Sequence, residues 1–388
     1  MGHDRIIVLG ATGSIGCQTL DIVRQLGDRF EVVGLAASSN WQRLAEYADR
    51  AHTKEVALTS EQAAAKLRAA RQDLNVRSGP AGLVDLLQSV PADVVVVAIA
   101  GLAALDPLID ALRRSLRVAF ASKEPLVAAG RVVMETSRSH GARLLPIDSE
   151  ISAVFQCLQG VPRESVEKIL LTASGGPFAG LSSEELARVT PEQALAHPTW
   201  QMGPKVTVDS ASLMNKGFEV FELRWLFDVP VDRIEVVIHY QSVIHSAVQL
   251  VDSSVLAQMS LPDMRAPIQY ALTYPERRAN ALPRLDLSAL GQMTFARPDT
   301  ARFPCLRIAY QAARAGGTYP AVLNAADEVA VAAFLEGRLG FTAVPALLEA
   351  VLEAHDPKSD DCLDNVLAAD RWARQAAEAK IGVIAGRF

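Results

Sequence analysis

Short β-branched apolar runs alternate with stretches of helical periodicity along the first part of the chain. Residues 5–9, 30–36, 56–58, 93–98, 117–121 and 143–147 read as strands. Residues 12–26, 41–51, 60–70, 79–88, 105–114 and 127–140 carry apolar positions three and four apart and read as helices. Such alternation predicts βαβ units around a parallel sheet, an α/β fold. Val94-Val95-Val96-Val97 lacks any polar alternation, which predicts a central strand buried on both faces. The pattern then changes. Residues 169–173, 235–238, 244–251 and 255–259 read as strands of a second sheet. A polar segment rich in Pro and Gly, 181–205, interrupts them and reads as a lid over a site. Residues 275–303 hold several Pro and little periodicity, as a linker does. Ala-rich helical patterns follow at 305–315, 321–336, 343–354 and 365–379, predicting a helical bundle. The expected organisation is a Rossmann-like α/β domain (1–149), an α+β domain (150–274) with its lid, the linker (275–303) and a helical domain (304–388).

Half of the 388 residues are apolar, enough for an ordinary core, and the formal charge is −6. No Lys/Arg run occurs, which argues against a nucleic-acid surface. Cys17, Cys157, Cys305 and Cys362 have neither metal spacing nor disulfide density, as in a reducing cytoplasm. The start of the chain lacks the basic and apolar regions of a signal peptide, and the longest apolar run, 94–105, is too short to span a bilayer. A soluble cytoplasmic protein is expected.

Gly10-Ala11-Thr12-Gly13-Ser14-Ile15-Gly16 follows the first strand and opens a helix. There glycines admit a pyrophosphate to the backbone and the helix N-terminus favours its charge. Similar turns also occur without a ligand. After the second strand come Ser38, Ser39 and Asn40, with Arg43 one turn on. No Asp or Glu is present for a ribose 2′-hydroxyl, which favours NADP over NAD. The alternative is a polar helix cap.

Pro146-Ile147-Asp148-Ser149-Glu150 ends a strand at the sheet edge where open α/β folds bind ligands. Asp148 and Glu150 are hard oxygen donors suited to Mg²⁺ or Mn²⁺, although acids also favour helix starts. A second acidic segment, Asp209 to Glu222, mixes a cation, an amide, hydroxyls and carboxylates with Leu213, Met214, Phe218 and Phe221. If residues 212–222 are helical, Asn215, Lys216 and Glu219 share one face. Lysine, amide and hydroxyl suit a phosphate; the carboxylate suits a divalent cation. Ser174, in Ser174-Gly175-Gly176-Pro177-Phe178, lies in a loop able to cradle an anion, or in a plain turn. His197, Trp200 and Met202 cap a substrate or simply pack. Lys123-Glu124 places a cation near the pocket or forms a surface ion pair.

Taken in order, GATGSIG, SKE, PIDSE, SGGPF, HPTWQMG, VDSASLMNKGFEVFE, QSVIHS, VLAQM, PDMR and LNAADE resemble the 1-deoxy-D-xylulose 5-phosphate reductoisomerase family of isoprenoid biosynthesis, nearly end to end. The resemblance implies an NADPH-dependent, Mg²⁺- or Mn²⁺-dependent homodimer. It would convert 1-deoxy-D-xylulose 5-phosphate to 2-C-methyl-D-erythritol 4-phosphate by rearrangement and hydride reduction. It implies that Gly10, Thr12, Gly13, Ser14 and Ile15 hold the pyrophosphate region, and Ser38, Ser39 and Asn40 the 2′-phosphate. Ser122, Glu124 and Gly203 would also border the cofactor. Asp148, Glu150 and Glu219 would ligate the metal. Ser174, Ser210, Asn215 and Lys216 would bind the substrate phosphate, while Lys123 and Ser149 contact its other oxygens. His197, Trp200 and Met202 would belong to the lid. The catalytic set would be Lys123, Glu150, His197 and Glu219; no general acid or base stands out, and His197 is a candidate only where the lid brings it close. The chain departs from the family at Ser38-Ser39, where Gly-Lys or Gly-Arg is common; at Ser122, where Asn is; and at Tyr240, where Pro is usual.

Rival activities fit less well. An extended short-chain dehydrogenase needs Tyr-x-x-x-Lys, and no Tyr here has Lys four residues on. A semialdehyde dehydrogenase needs a Cys nucleophile, for which Cys157 alone is a candidate. A non-catalytic NADP sensor would leave the acidic residues of the second domain idle.

Overall fold

The structure, a computed structural model, describes residues 3–198, 200 and 202–386; Thr199 and Gln201 of the expected lid lie outside them. The chain divides into two compact units. The first runs to Pro125 and adds Val133–Ser152 and Asp263–Leu282. The second comprises Leu126–Val132, Ala153–Pro262 and the chain from Pro283 onward.

The first unit is built on strands β1 (Asp4–Leu9), β2 (Phe30–Ala37), β3 (Glu55–Leu58), β4 (Asn75–Ser78), β5 (Val94–Val97), β6 (Arg117–Phe120) and β7 (Arg143–Pro146). Their order is β4-β3-β2-β1-β5-β6-β7, and all neighbours are parallel. Ile6 to Leu9 lie opposite Val94 to Val97, and all eight side chains are fully buried. Helices therefore cover both faces, as all-parallel sheets require. Strand order reverses between β1 and β5, which opens a crevice at their carboxyl ends. β4 was not expected: Asn75-Val76-Arg77-Ser78 is a polar edge strand, held by Arg77 and Asn75 on Glu55. Helix Arg265–Thr273 was also not expected; it packs on helix Ser14–Gln25 within the same unit.

The second unit holds β8 (Val166–Ala173), β9 (Ile234–Ile238), β10 (Ile244–Leu250) and β11 (Val255–Met259), in the order β11-β10-β8-β9. β8 and β9 are parallel and the other pairs antiparallel. β11 is an edge with Val255 and Leu256 exposed, and Val251 is exposed just before it. Helices Cys305–Ala315, Tyr319–Leu335, Ala343–Glu353 and Leu363–Ala385 form the expected bundle around the almost wholly buried Tyr319–Leu335. Residues 275–303 are not featureless: they include helix Leu287–Leu290, and Ala296 bridges to Ile238.

Residues 212–222, weighed above as one helix, divide between two, Pro204–Ser212 and Met214–Phe227. Leu213 between them is left-handed, with φ 64°. Ser212 Oγ accepts from the Met214 amide at 3.3 Å, which stabilises the new start. The polar segment likewise contains two short helices, Ser183–Leu186 and Pro191–Leu195, each opened by a reciprocal capping box, Ser182/Glu185 and Thr190/Gln193. Among the described residues, no helix is long and apolar enough to cross a membrane.

Candidate active site

In the first unit the Gly-rich turn leaves β1 with Gly10 at φ +90°, and a Cβ there would lie 2.1 Å from the Ala98 carbonyl oxygen. A Cβ on Gly16 would lie 2.2 Å from the Gly10 carbonyl oxygen. The amides of Gly10 and Ala11 donate to the Ala36 carbonyl, at 2.9 and 2.7 Å, which pins the turn to β2. Gly13 caps helix Ser14–Gln25 with no side chain over the first turn, and Gly13 and Ser14 are exposed. The glycines thus let the turn pack closely on its own backbone and on Ala98 just after β5, at an exposed helix N-terminus, which fits a pyrophosphate.

Ser38, Ser39 and Asn40 are exposed after β2. Asn40 does serve as a helix cap: its Oδ1 accepts from the Arg43 amide at 3.2 Å. Ser38 Oγ accepts from Thr59 Oγ1 at 3.3 Å.

The carboxyl ends of β6 and β7 bring a second group together. Ser122, Lys123 and Glu124 are all buried, so Lys123 is no surface residue. Lys123 Nζ lies 2.7 Å from Asp148 Oδ2. Asp148 Oδ1 accepts from the Glu150 amide at 3.3 Å, opening helix Ser149–Cys157. Ser149 Oγ donates to Glu150 Oε2. Ser122 Oγ donates to the Val97 carbonyl at 3.3 Å and ties this corner to β5.

In the second unit, helix Met214–Phe227 places Asn215, Lys216 and Glu219 on one face, all buried. Asn215 Nδ2 donates to Glu219 Oε1 at 2.6 Å, and Lys216 Nζ sits 2.7 Å from Glu219 Oε2. A buried lysine and glutamate persist only when paired in this way. The Ser174 loop follows β8. Gly176 has φ +72°, and a Cβ there would lie 2.6 Å from the Ser210 carbonyl oxygen. The loop thus lies tight against the end of helix Pro204–Ser212.

His197 joins this group. Its Nδ1 accepts from the Trp200 amide at 3.0 Å, so the ring proton of the neutral form sits on Nε2. Nε2 lies 3.2 Å from Ser174 Oγ. Ser174 Oγ also accepts from the Gly176 amide at 3.3 Å, which leaves the hydroxyl proton to be donated elsewhere. Burial lowers the His197 pKa, and the Lys216 charge lowers it further. Trp200 lies against the His245 ring, centroids 6.1 Å apart. Gly203 is exposed at the start of helix Pro204–Ser212.

A protein of Pelotomaculum thermopropionicum named 1-deoxy-D-xylulose 5-phosphate reductoisomerase is 51% identical over 372 residues, covering 95% of this chain and 96% of the relative. The chain belongs to the 1-deoxy-D-xylulose 5-phosphate reductoisomerase family. A Gloeobacter violaceus reductoisomerase is 52% identical over 374 residues, 95% of each chain. The family model for 1-deoxy-D-xylulose 5-phosphate reductoisomerase matches residues 6–130, and that for its C-terminal domain matches 144–227. A further model, the DXP reductoisomerase C-terminal domain, matches 259–376. Among solved structures, the Zymomonas mobilis reductoisomerase in complex with NADPH superposes with a TM-score of 0.91 at 41% identity, covering 98% of this chain and 99% of that one. A DOX-P reductoisomerase in complex with NADPH, fosmidomycin and magnesium gives 0.93 at 38% identity, covering 98% of each chain.

Two features of this reductoisomerase fold carried no assigned role in the sequence. Lys205 Nζ lies 2.6 Å from Asp209 Oδ2 and 2.8 Å from Asp327 Oδ2, and 4.6 Å from the centre of the Phe218 ring. Both carboxylates are buried, so one lysine holds two negative groups at the root of the polar segment. The i,i+4 spacing of Lys205 and Asp209 is the only trace of it in the sequence. His239 is buried and stacked on Phe295 with centroids 4.8 Å apart, and its Nε2 accepts from the Val243 amide at 3.3 Å.

Proposed function

We propose that this chain converts 1-deoxy-D-xylulose 5-phosphate to 2-C-methyl-D-erythritol 4-phosphate with NADPH and Mg²⁺ or Mn²⁺. The observation that carries this is the buried Asn215-Lys216-Glu219 face, an anion-binding pair and a hard oxygen donor on one helix, in a chain with near full-length likeness to reductoisomerases. The Gly10–Gly16 cradle suits the cofactor's pyrophosphate, with Thr12 to Ile15 lining it and Ser38 to Asn40 at its adenosine end. Asp148, Glu150 and Glu219 are the proposed metal ligands, an all-carboxylate set that matches a hard divalent cation. When bound, the cation supplies Lewis-acid polarisation of the substrate's carbonyl and hydroxyl oxygens, and the nicotinamide supplies the hydride.

The protein's own groups do the rest. Lys123 holds the Asp148 carboxylate in place and, with Ser149, meets substrate oxygens. Lys216 and Asn215 hold the substrate phosphate together with Ser210 and the free hydroxyl proton of Ser174. His197 keeps Ser174 oriented through Nε2–H, and with Trp200 it closes over the substrate and excludes water. In the proposed division of labour, residues 1–149 bind cofactor, 150–274 carry substrate and metal groups with the lid at 181–205, and 304–388 support them. A cytoplasmic homodimer is proposed as well; the exposed apolar edge at Val251, Val255 and Leu256 supports pairing with a second copy.

The test is to follow NADPH absorbance with 1-deoxy-D-xylulose 5-phosphate, with and without EDTA. Consumption that stops on chelation and returns with Mg²⁺ or Mn²⁺ supports the proposal. Unchanged NADPH in the presence of substrate and either metal ends it.

A further inference from the structure

The end of β2 is where a fold of this kind meets the adenosine ribose, and a cation there selects the 2′-phosphate. Ser38, Ser39 and Asn40 supply none. Arg43 is the third residue of helix Trp41–Ala51, and its main-chain amide is fixed by Asn40. Its side chain is exposed but tethered. Arg43 Nε donates to the Tyr47 hydroxyl at 2.9 Å, and the guanidinium lies 5.4 Å from the centre of the Tyr47 ring. Tyr47 in turn donates to Cys17 Sγ at 3.2 Å. Cys17 belongs to helix Ser14–Gln25, the helix that the Gly-rich turn opens. The chain Arg43–Tyr47–Cys17 therefore draws the guanidinium from the end of β2 toward the pyrophosphate cradle.

The mode of anchoring matters. Nε is occupied, whereas Nη1 and Nη2 make no hydrogen bond among the described residues. That leaves the forked edge of the guanidinium for a bidentate phosphate contact. Among the described residues no carboxylate pairs with it, unlike Arg71, which is held by Asp49 and Asp73, and Arg77, held by Glu55 and Asp85. Arg50 flanks the same ring, 5.8 Å from its centre, without a bond to the hydroxyl.

We propose that Arg43 reads the 2′-phosphate of NADPH and that Tyr47 is the positioning residue that aims it. This takes over the role of the cation missing at Ser38-Ser39, and it rests on the cofactor proposed above binding at Gly10–Gly16.

The test is calorimetric binding of 2′,5′-ADP and of 5′-AMP to the full chain. The two probes differ only in the 2′-phosphate. The wild type should prefer 2′,5′-ADP. Arg43→Met should lower that preference about tenfold or more, the worth of one charge-assisted contact, while leaving 5′-AMP affinity in place. Tyr47→Phe keeps the ring and loses the hydroxyl; it should lower the preference about threefold, again without weakening 5′-AMP. Arg43→Lys, which keeps the charge, should fall between Arg43→Met and the wild type. Retained 5′-AMP affinity in each variant shows that the pocket is folded. A wild-type preference in Arg43→Met overturns this inference alone. A wild-type protein that binds neither probe overturns the cofactor assignment and this inference with it.

Discussion

Lys123 Nζ stands 2.7 Å from Asp148 Oδ2, with both side chains largely removed from water. The two residues come from the ends of different strands, β6 and β7, so their meeting is fixed by the parallel sheet and not by local sequence. Lys123→Met should destabilise the protein by about 3–5 kcal/mol, because it removes the cation paired with a largely buried carboxylate. Urea unfolding of the metal-free protein measures this, and a loss under about 1 kcal/mol would contradict the pairing.

Glu219 accepts from both Asn215 and Lys216. Glu219→Gln should lower turnover at least about a hundredfold at saturating Mg²⁺, by removing a proposed ligand charge. Near-normal turnover would remove Glu219 from the metal site.

The Gly-rich turn has no room at Gly10 or Gly16. Gly16→Ala should raise the NADPH dissociation constant about tenfold or more, since the turn must open to admit a methyl group. Fluorescence titration with NADPH reads this directly.

His197 has its pKa lowered from the ordinary 6.5 by burial and by Lys216. A depressed histidine favours the folded state when neutral. Its contribution is therefore present above about 6.5 and is lost as pH falls below that toward the folded value. Stability measured from neutral to mildly acidic pH should fall more in the wild type than in His197→Gln. Parallel curves would show that His197 is not buried as described.

Lys205 pairs with both Asp209 and Asp327. Lys205→Met should cost about 3–5 kcal/mol, and adding Asp327→Asn should recover part of it. Additive losses in the double variant would mean that the two residues do not interact.

Much of this was legible in the chain because burial leaves a periodic mark. Helix Trp41–Ala51, strand β11 and helix Cys305–Ala315 match their sequence-based bounds, and β5 is the run of four valines. What escaped had no such mark. β4 is polar because it is an edge. Helix Arg265–Thr273 carries Pro267, which a first turn tolerates but which hides the helix from a periodicity scan. The break at Leu213 is one left-handed residue, invisible among apolar neighbours. Site residues were legible as chemistry but not as partners. Lys123 beside Glu124 suggested an ion pair between neighbours in sequence; the fold gives Lys123 to Asp148 across two strands.

The capping boxes at Ser182/Glu185 and Thr190/Gln193 close the hydrogen bonding of two short turns without help from the surrounding protein. In the proposed lid motion those bonds stay intact, so the stretch would travel as a stiff flap that need not melt and refold. Little chain entropy would then be lost in the proposed closure on a sugar phosphate, and more of the binding energy would remain for the chemical step.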